Sequence, residues 1–274
     1  MNNRKQGILR HIVLMLMGML TLAPFVVLLV NSLRKDIDIK MNPFALPEQL
    51  VFSNYTDAWR IGDYARGYMN SFIVFLMVTV VVCMIGGLFA FAVTKIKIPG
   101  SEALIVYFLV AMAIPTQMYL VPLFYSFQKV GLVNNLFGLS LIYIATYLPF
   151  SIMLLRSFFI SIPKDLDEAS MVDGCNPLLT FIHITLPLAQ PAFVTVMLIV
   201  GLWTWNEFMF SNIFLNLSQM KTVATRYVAF TSEHDTNIAY ISAGGVISVL
   251  PIILIYLVSQ KKFIEGMTAG SVKG

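Results

Sequence analysis

Six long apolar runs dictate what this chain can fold into. They fall at residues 12–30, about 70–94, within 103–128, within 130–155, within about 188–206 and within 238–259. Roughly 20 mostly apolar helical residues cross a hydrocarbon core of ~30 Å, so each run is a candidate transmembrane span. A lone segment in lipid satisfies its backbone only by forming a helix, and the alternation expected of barrel strands is absent. The composition agrees, with 58% hydrophobic and 12% charged residues and a mean hydropathy of +0.81. The expectation is an all-α polytopic membrane protein with six transmembrane helices.

The start, "MNNRKQGILRH" before an apolar run, has the outline of a signal peptide. The run is long for one and no A-x-A-like site follows, so it reads as an uncleaved first span. Lys and Arg near the span ends set orientation. With both termini in the cytoplasm, Arg4, Lys5, Arg10, Lys95, Lys97, Arg156, Lys164, Lys261, Lys262 and Lys273 lie inside. Arg34, Lys35, Lys40, Arg60, Arg66, Lys129, Lys221 and Arg226 lie outside, five of them in one long segment that counts for less. This excess favours cytoplasmic termini. The net charge of +4 then belongs to span flanks, and no basic patch interleaved with aromatics points to nucleic acid. Cys83, in a span, and Cys175, in an inner loop, read as unpaired thiols.

The two external segments, 31–69 and 211–237, are too short for a core of their own and are expected to cap the membrane bundle. Proline recurs in or beside the spans, at Pro24, Pro115, Pro122, Pro149 and Pro251; each removes a backbone donor and can kink its helix. Small residues cluster in "GGLFAFAVT" (Gly86, Gly87, Ala90, Ala92) and "ISAGGVISVLP" (Ser242, Ala243, Gly244, Gly245, Ser248). Both faces allow close helix approach, either within the chain or between subunits.

Enzyme chemistry finds no foothold. The sequence has no G-x-x-x-x-G-K-[ST], H-E-x-x-H or G-x-S-x-G, and no metal-spaced Cys/His cluster. His11, His183 and His234 lie on different segments and read as surface or interfacial residues. Ion-coupled carriers place carboxylates in the membrane, and only Glu207 in "WTWNEF" comes close. Beside Trp203 and Trp205 it reads as part of an aromatic belt. A chain of this kind needs an external energy source if it pumps.

The stretch "SIPKDLDEASMVDGCNPLLTFIHITLP" differs from everything around it. Asp165, Asp167, Glu168 and Asp173 stand within nine positions between two apolar runs. Pro163 suits a first turn, Asp165 and Glu168 have capping-box spacing, and the acids favour the positive end of a helix dipole. Gly174 permits a C-terminal stop, and Asn176-Pro177 offers an N-cap and N1 residue for a second short helix to about Thr185. The expectation is helix, glycine elbow, helix. Its Leu166, Ala169, Met171 and Val172, fringed by carboxylates, suit a groove on a soluble partner, although a solvated loop satisfies the same caps.

Glu168, Ala169, Asp173, Gly174, Ile184, Leu186 and Pro187, with Phe181, fall where the EAA loop of binding-protein-dependent permeases has E-A-A, D-G and I-x-L-P. The stretch resembles that loop, with Ser170 for the second alanine and Cys175 for a frequent alanine. "NSF" at 70–72, "WNEF" at 205–208 and the tail "GMTAGSVKG" at 266–274 are similar to the sugar-importing branch, and to the smaller permease of maltose-type systems. The resemblance covers residues 70–274 well and the first span loosely. It divides the chain into 1–69, with the first helix and an extracytoplasmic segment, and a core permease domain 70–274 with coupling loop 161–187 and tail 261–274.

The resemblance implies the transmembrane-domain fold of a type I ATP-binding-cassette importer in a prokaryotic plasma membrane. It implies a second permease subunit, a dimer of ATPase subunits holding ATP and Mg, and an extracellular binding protein that delivers carbohydrate. No cofactor and no enzyme activity are implied for this chain. Glu168, Ala169, Ser170, Asp173 and Gly174 would couple to the ATPase, and Thr268, Gly270, Ser271 and Lys273 of the tail would reach between the ATPase subunits, with Lys273 in contact or merely solvated. Tyr119, Tyr143, Tyr147, Trp205 and Asn206 are candidates for the substrate pathway, since sugar sites combine hydrogen-bonding groups with flat aromatic faces, although residues of these types more often serve packing. A polyol or glycerol phosphate ester as cargo, a stand-alone secondary transporter, and a scaffold without transport remain as alternatives.

Overall fold

The computed structural model describes residues 2–96, 98–231 and 236–269. Among these the chain is helical, and one isolated bridge, Thr231 to Thr236, is the β pairing present. The helices are α1 (Asn2–Ser32), α2 (Asp36–Met41), α3 (Ser53–Ile61), α4 (Tyr64–Phe91), α5 (Ser101–Ala113), α6 (Leu120–Lys129), α7 (Leu136–Ser161), α8 (Lys164–Val172), α9 (Pro177–Thr180), α10 (Leu186–Leu188), α11 (Gln190–Asn206), α12 (Met209–Phe214) and α13 (Ile238–Ala269). Two π-helical turns, Ala92–Ile96 after α4 and Phe181–Thr185 after α9, interrupt the regular pitch.

Four helices are long and apolar enough to cross a membrane, and the number reaches six if each of two bent pairs is one span. The third apolar run is one of these pairs. It breaks between α5 and the 3-10 turn Thr116–Tyr119 with a bend of 86°. Pro115 is the cause: it has no N–H to give and drives Ile114 into extended backbone (φ −79°, ψ 119°). Alone, α5 at 13 residues is only ~20 Å long, short of a full crossing. The second pair, residues 177–188 and α11, bends by 77°. The fourth run also shifts, because Gly131 and Asn134 take positive φ and make a turn before Asn135 caps α7.

Contacts divide the chain into two compact units, Met1–Ala65 with Arg226–Pro251, and Arg66–Thr225 with Ile252–Gly274. Residues 226–251 thus pack with the N-terminal part of the chain. In this first unit Tyr64 stacks near Phe230, whose ring meets Tyr240, and a Cβ at Gly245 would meet Leu28. Buried Arg34 donates to the carbonyls of Asp38 and Asn42, both at 2.9 Å, and so folds the chain after α1 onto itself.

In the second unit α7 is the central helix, packed against α5, α11, α12 and the π turn at 92–96. Leu139, Ile142, Ile152, Leu155 and Phe159 are its buried apolar side. Ser140, Thr146 and Ser151 return their hydroxyls to carbonyls four residues earlier, which satisfies them without water. The small residues of α4 serve packing within the chain: a Cβ on Gly87 would come within 2.7 Å of the Phe193 ring, and one on Gly86 would touch Leu148 and Ser151.

Candidate functional site

The acidic stretch folds into the expected helix, glycine elbow and helix, with one change at its start. Ile162 is extended ahead of Pro163, which ends α7, and Pro163 is itself the N-cap of α8 with no side-chain cap bond. The helix therefore begins two residues earlier than capping-box spacing requires, and the Asp165/Glu168 box is not formed. Asp165 still sits in the first turn, where the helix dipole favours a negative charge.

The elbow is a complete Schellman motif. Cys175 N–H donates to Ser170 O at 2.9 Å and Gly174 N–H to Met171 O at 3.1 Å, with Gly174 at φ +80°. Asn176 then caps α9 by accepting from Leu179 N–H at 2.9 Å, and Pro177 occupies the first turn. Glu168, Ala169, Asp173 and Gly174 lie on the exposed surface, together with Leu166, Met171 and Val172, the last 88% exposed.

Ser170 is different. It is 2% exposed, donates to Asp167 O at 2.7 Å and shares a 2.9 Å bond with Thr180 Oγ1. It fastens α8 to α9 and does not face outward with Ala169. Asp167 is also buried, paired at 2.7 Å with Lys95 Nζ, which donates in addition to Ile162 O at 3.0 Å. Sequence reading placed Asp167 among the dipole-favoured acids and Lys95 among the span flanks. Their opposite charges were the available signal, but separation by 72 positions hid the pairing.

Of the pathway candidates, Tyr119, Tyr143 and Tyr147 come together. Tyr143 and Tyr147 have ring centroids 5.8 Å apart, Tyr147 lies 5.4 Å from Trp203, and the Tyr119 hydroxyl is 3.4 Å from Thr146 Oγ1. Trp205 and Asn206 are not part of this group. Trp205 is buried edge-on against Tyr68, and the exposed Asn206 donates its amide to Leu202 O.

Glu207 is bonded within the chain. It accepts from the Tyr143 hydroxyl at 2.5 Å, from Phe210 N–H at 3.0 Å and from Ser211 N–H at 3.1 Å, so it caps α12 and ties it to α7. The "NSF" residues have a similar office: Asn70 donates to Gln219 O and Lys221 O at 2.9 and 3.0 Å, and Ser71 Oγ accepts from Val223 N–H. The ring nitrogens of His11 and His183 meet carbonyls four residues earlier in their own helices. Both cysteines are free thiols. Thr268 lies in α13, while Gly270, Ser271, Lys273 and His234 lie outside the described residues.

These features define a multi-pass helical membrane protein carrying a short, capped, partly apolar helical loop between α7 and α11. Residues 83–268 match the binding-protein-dependent transport system inner membrane component, and the chain belongs to that family. The diacetylchitobiose uptake system permease protein NgcG of Streptomyces coelicolor is 30% identical over 99% of this chain and 91% of its own length. The probable ABC transporter permease protein YurM of Bacillus subtilis is 34% identical over 92% and 83%. The melibiose/raffinose/stachyose import permease protein MelC of the same organism is 29% identical over 92% and 91%. In fold, the chain is similar to a chain of a bacterial ABC transporter involved in the import of the acidic polysaccharide alginate, with a TM-score of 0.82, 23% identity and coverage of 95% of this chain and 97% of that one.

Proposed function

We propose that the chain is one of two permease subunits of an ATP-driven importer in a prokaryotic plasma membrane, forming half of the pathway for an oligosaccharide. An external binding protein delivers the sugar, and a dimer of cytoplasmic ATPase subunits, which holds the ATP and Mg, drives the cycle. This chain has no reaction of its own. The observation that carries the reading is the α8–elbow–α9 unit: Glu168, Ala169, Met171 and Val172 are presented on a helix fixed by a Schellman elbow. An exposed apolar edge with a carboxylate beside it fits a groove on a soluble partner better than it fits water. The carbohydrate assignment is supported by relatives named for diacetylchitobiose and for melibiose, raffinose and stachyose.

On this reading the loop 161–187 belongs to the core permease domain 70–274, and Glu168 pairs with a basic residue of the ATPase while Ala169 packs beside it. Tyr119, Tyr143 and Tyr147 border the sugar pathway, and the tail 261–274, through Thr268, Gly270, Ser271 and Lys273, reaches the ATPase pair. The test is reconstitution in proteoliposomes with the second permease, the ATPase and the binding protein, after thermal-shift screening of that binding protein against a glycan panel. Uptake should need all components and ATP. Ion-driven uptake by this chain alone would overturn the assignment, and saturable binding of only a polyol or a glycerol phosphate ester would replace the cargo.

A further inference from the structure

The loop's acidic residues divide by burial, and the buried one points into the chain. Asp167 and Ser170, three apart on α8, share the face turned toward the protein. Lys95 Nζ reaches Asp167 Oδ2 at 2.7 Å and Ile162 O at 3.0 Å, with the two side chains only 8% and 12% exposed. One ammonium therefore holds the π turn that continues α4, the last residue before Pro163, and α8. Beyond the elbow, Phe181 packs on Phe91 with centroids 5.4 Å apart, and a Cβ on Gly87 would meet the Phe181 ring at 3.4 Å. The two halves of the loop are thus attached to α4 independently, the first by charge and the second by aromatic packing.

We infer that Lys95 is a positioning residue, a buried strut through Asp167 that makes α8 move as one body with the inner end of α4. A buried pair is a poor source of net stability, because desolvating both charges offsets their attraction, but removing one partner leaves the other charge stranded. Such a pair fixes geometry. Interrupted helical pitch often marks functional positions, and the π turn at Ala92–Ile96 is what carries Lys95. A load applied at the exposed Glu168 then reaches α4 through the neighbouring Asp167, as well as α7 through the chain.

The inference rests on the proposed importer role for its consequence, though not for the linkage itself. The experiment uses the assembled transporter in nanodiscs, with Cys83→Ser and Cys175→Ser as background and spin labels at Leu88→Cys on α4 and Lys164→Cys at the start of α8, both exposed positions outside the partner-facing set. The background should give one narrow distance, unchanged between the nucleotide-free and the ATP–vanadate states. Lys95→Met should broaden it about twofold and lower binding-protein stimulation of ATP hydrolysis about fivefold or more, as expected when a buried charge is left alone. The exchanged pair Lys95→Asp with Asp167→Lys should restore both. A Lys95→Met distribution as narrow as background, or an exchanged pair that restores neither readout, overturns the strut. If Lys95→Met does not assemble, Asp167→Asn is judged by the same two criteria. Absence of binding-protein-stimulated hydrolysis in the background complex would break the importer reading, while the nucleotide-free distances would still decide the strut.

Discussion

Glu168 and Glu207 are carboxylates in the connections between long apolar helices, yet the chain treats them in opposite ways. Glu207 takes three hydrogen bonds from its own chain, one from Tyr143 and two from the start of α12. Glu168 stands exposed on α8, beside a glycine elbow whose backbone groups are already satisfied by the Schellman bonds. A carboxylate saturated internally is scaffolding. On the proposed reading, the backbone beneath Glu168 is ordered before docking, so only the side chain remains to be fixed by a partner.

The comparison breaks most sharply at the elbow. Gly174→Pro places a ring fixed near φ −65° where the chain needs φ +80°, and removes the N–H that bonds Met171 O. At about 3 kcal/mol or more, this distortion should cut uptake close to a hundredfold while the chain still inserts in the membrane. Next is Glu168→Ala, expected to lower ATP-driven uptake roughly 30-fold, since truncating one member of a desolvated charge pair costs ~2–5 kcal/mol. Uptake assays on variants present at normal membrane levels decide both, and full uptake by the two together would return the loop to a solvated connector. Glu207→Ala should act on the opposite quantity. It strands two N–H groups and a hydroxyl and should cost roughly 2–3 kcal/mol, read as a lower melting midpoint in detergent. Glu207→Gln, which keeps one acceptor, should fall between.

Much of this contrast was legible in the sequence, and the missing part has a common cause. Local rules identified the α8–elbow–α9 unit, because Gly174, Asn176 and Pro177 act on backbone within a few residues of themselves. The six apolar runs were likewise plain, although a hydropathy window cannot register the bend at Pro115. Pairings across distance were invisible. Nothing local to Asp167 names Lys95, and nothing local to Glu207 names Tyr143, 64 residues away. Trp205 and Asn206 were grouped with the tyrosines by residue type, whereas a helix sends consecutive side chains about 100° apart, so neighbours in "WNEF" separate into a buried indole, an exposed amide and a cap.

The smallest expected effect sharpens the comparison within α8 itself. Ser170 stands where the resembled pattern has alanine, and its hydroxyl links Asp167 O to Thr180 Oγ1 inside the protein. Ser170→Ala removes that link without leaving Thr180 unsatisfied, because the Thr180 hydroxyl proton is then free to go to Asn176 O, 3.2 Å away. The loss should be about 1 kcal/mol or less, the net worth of an ordinary hydrogen bond. Uptake should then stay near that of the parent while amide hydrogen exchange in α9 quickens by about fivefold at most. Ala169→Leu leaves this internal link intact and enlarges the exposed side of the same helix, so it should impair uptake and leave exchange in α9 unchanged. If Ser170→Ala impairs uptake as Ala169→Leu does, the serine faces the partner in the working complex and the inward assignment of its hydroxyl fails.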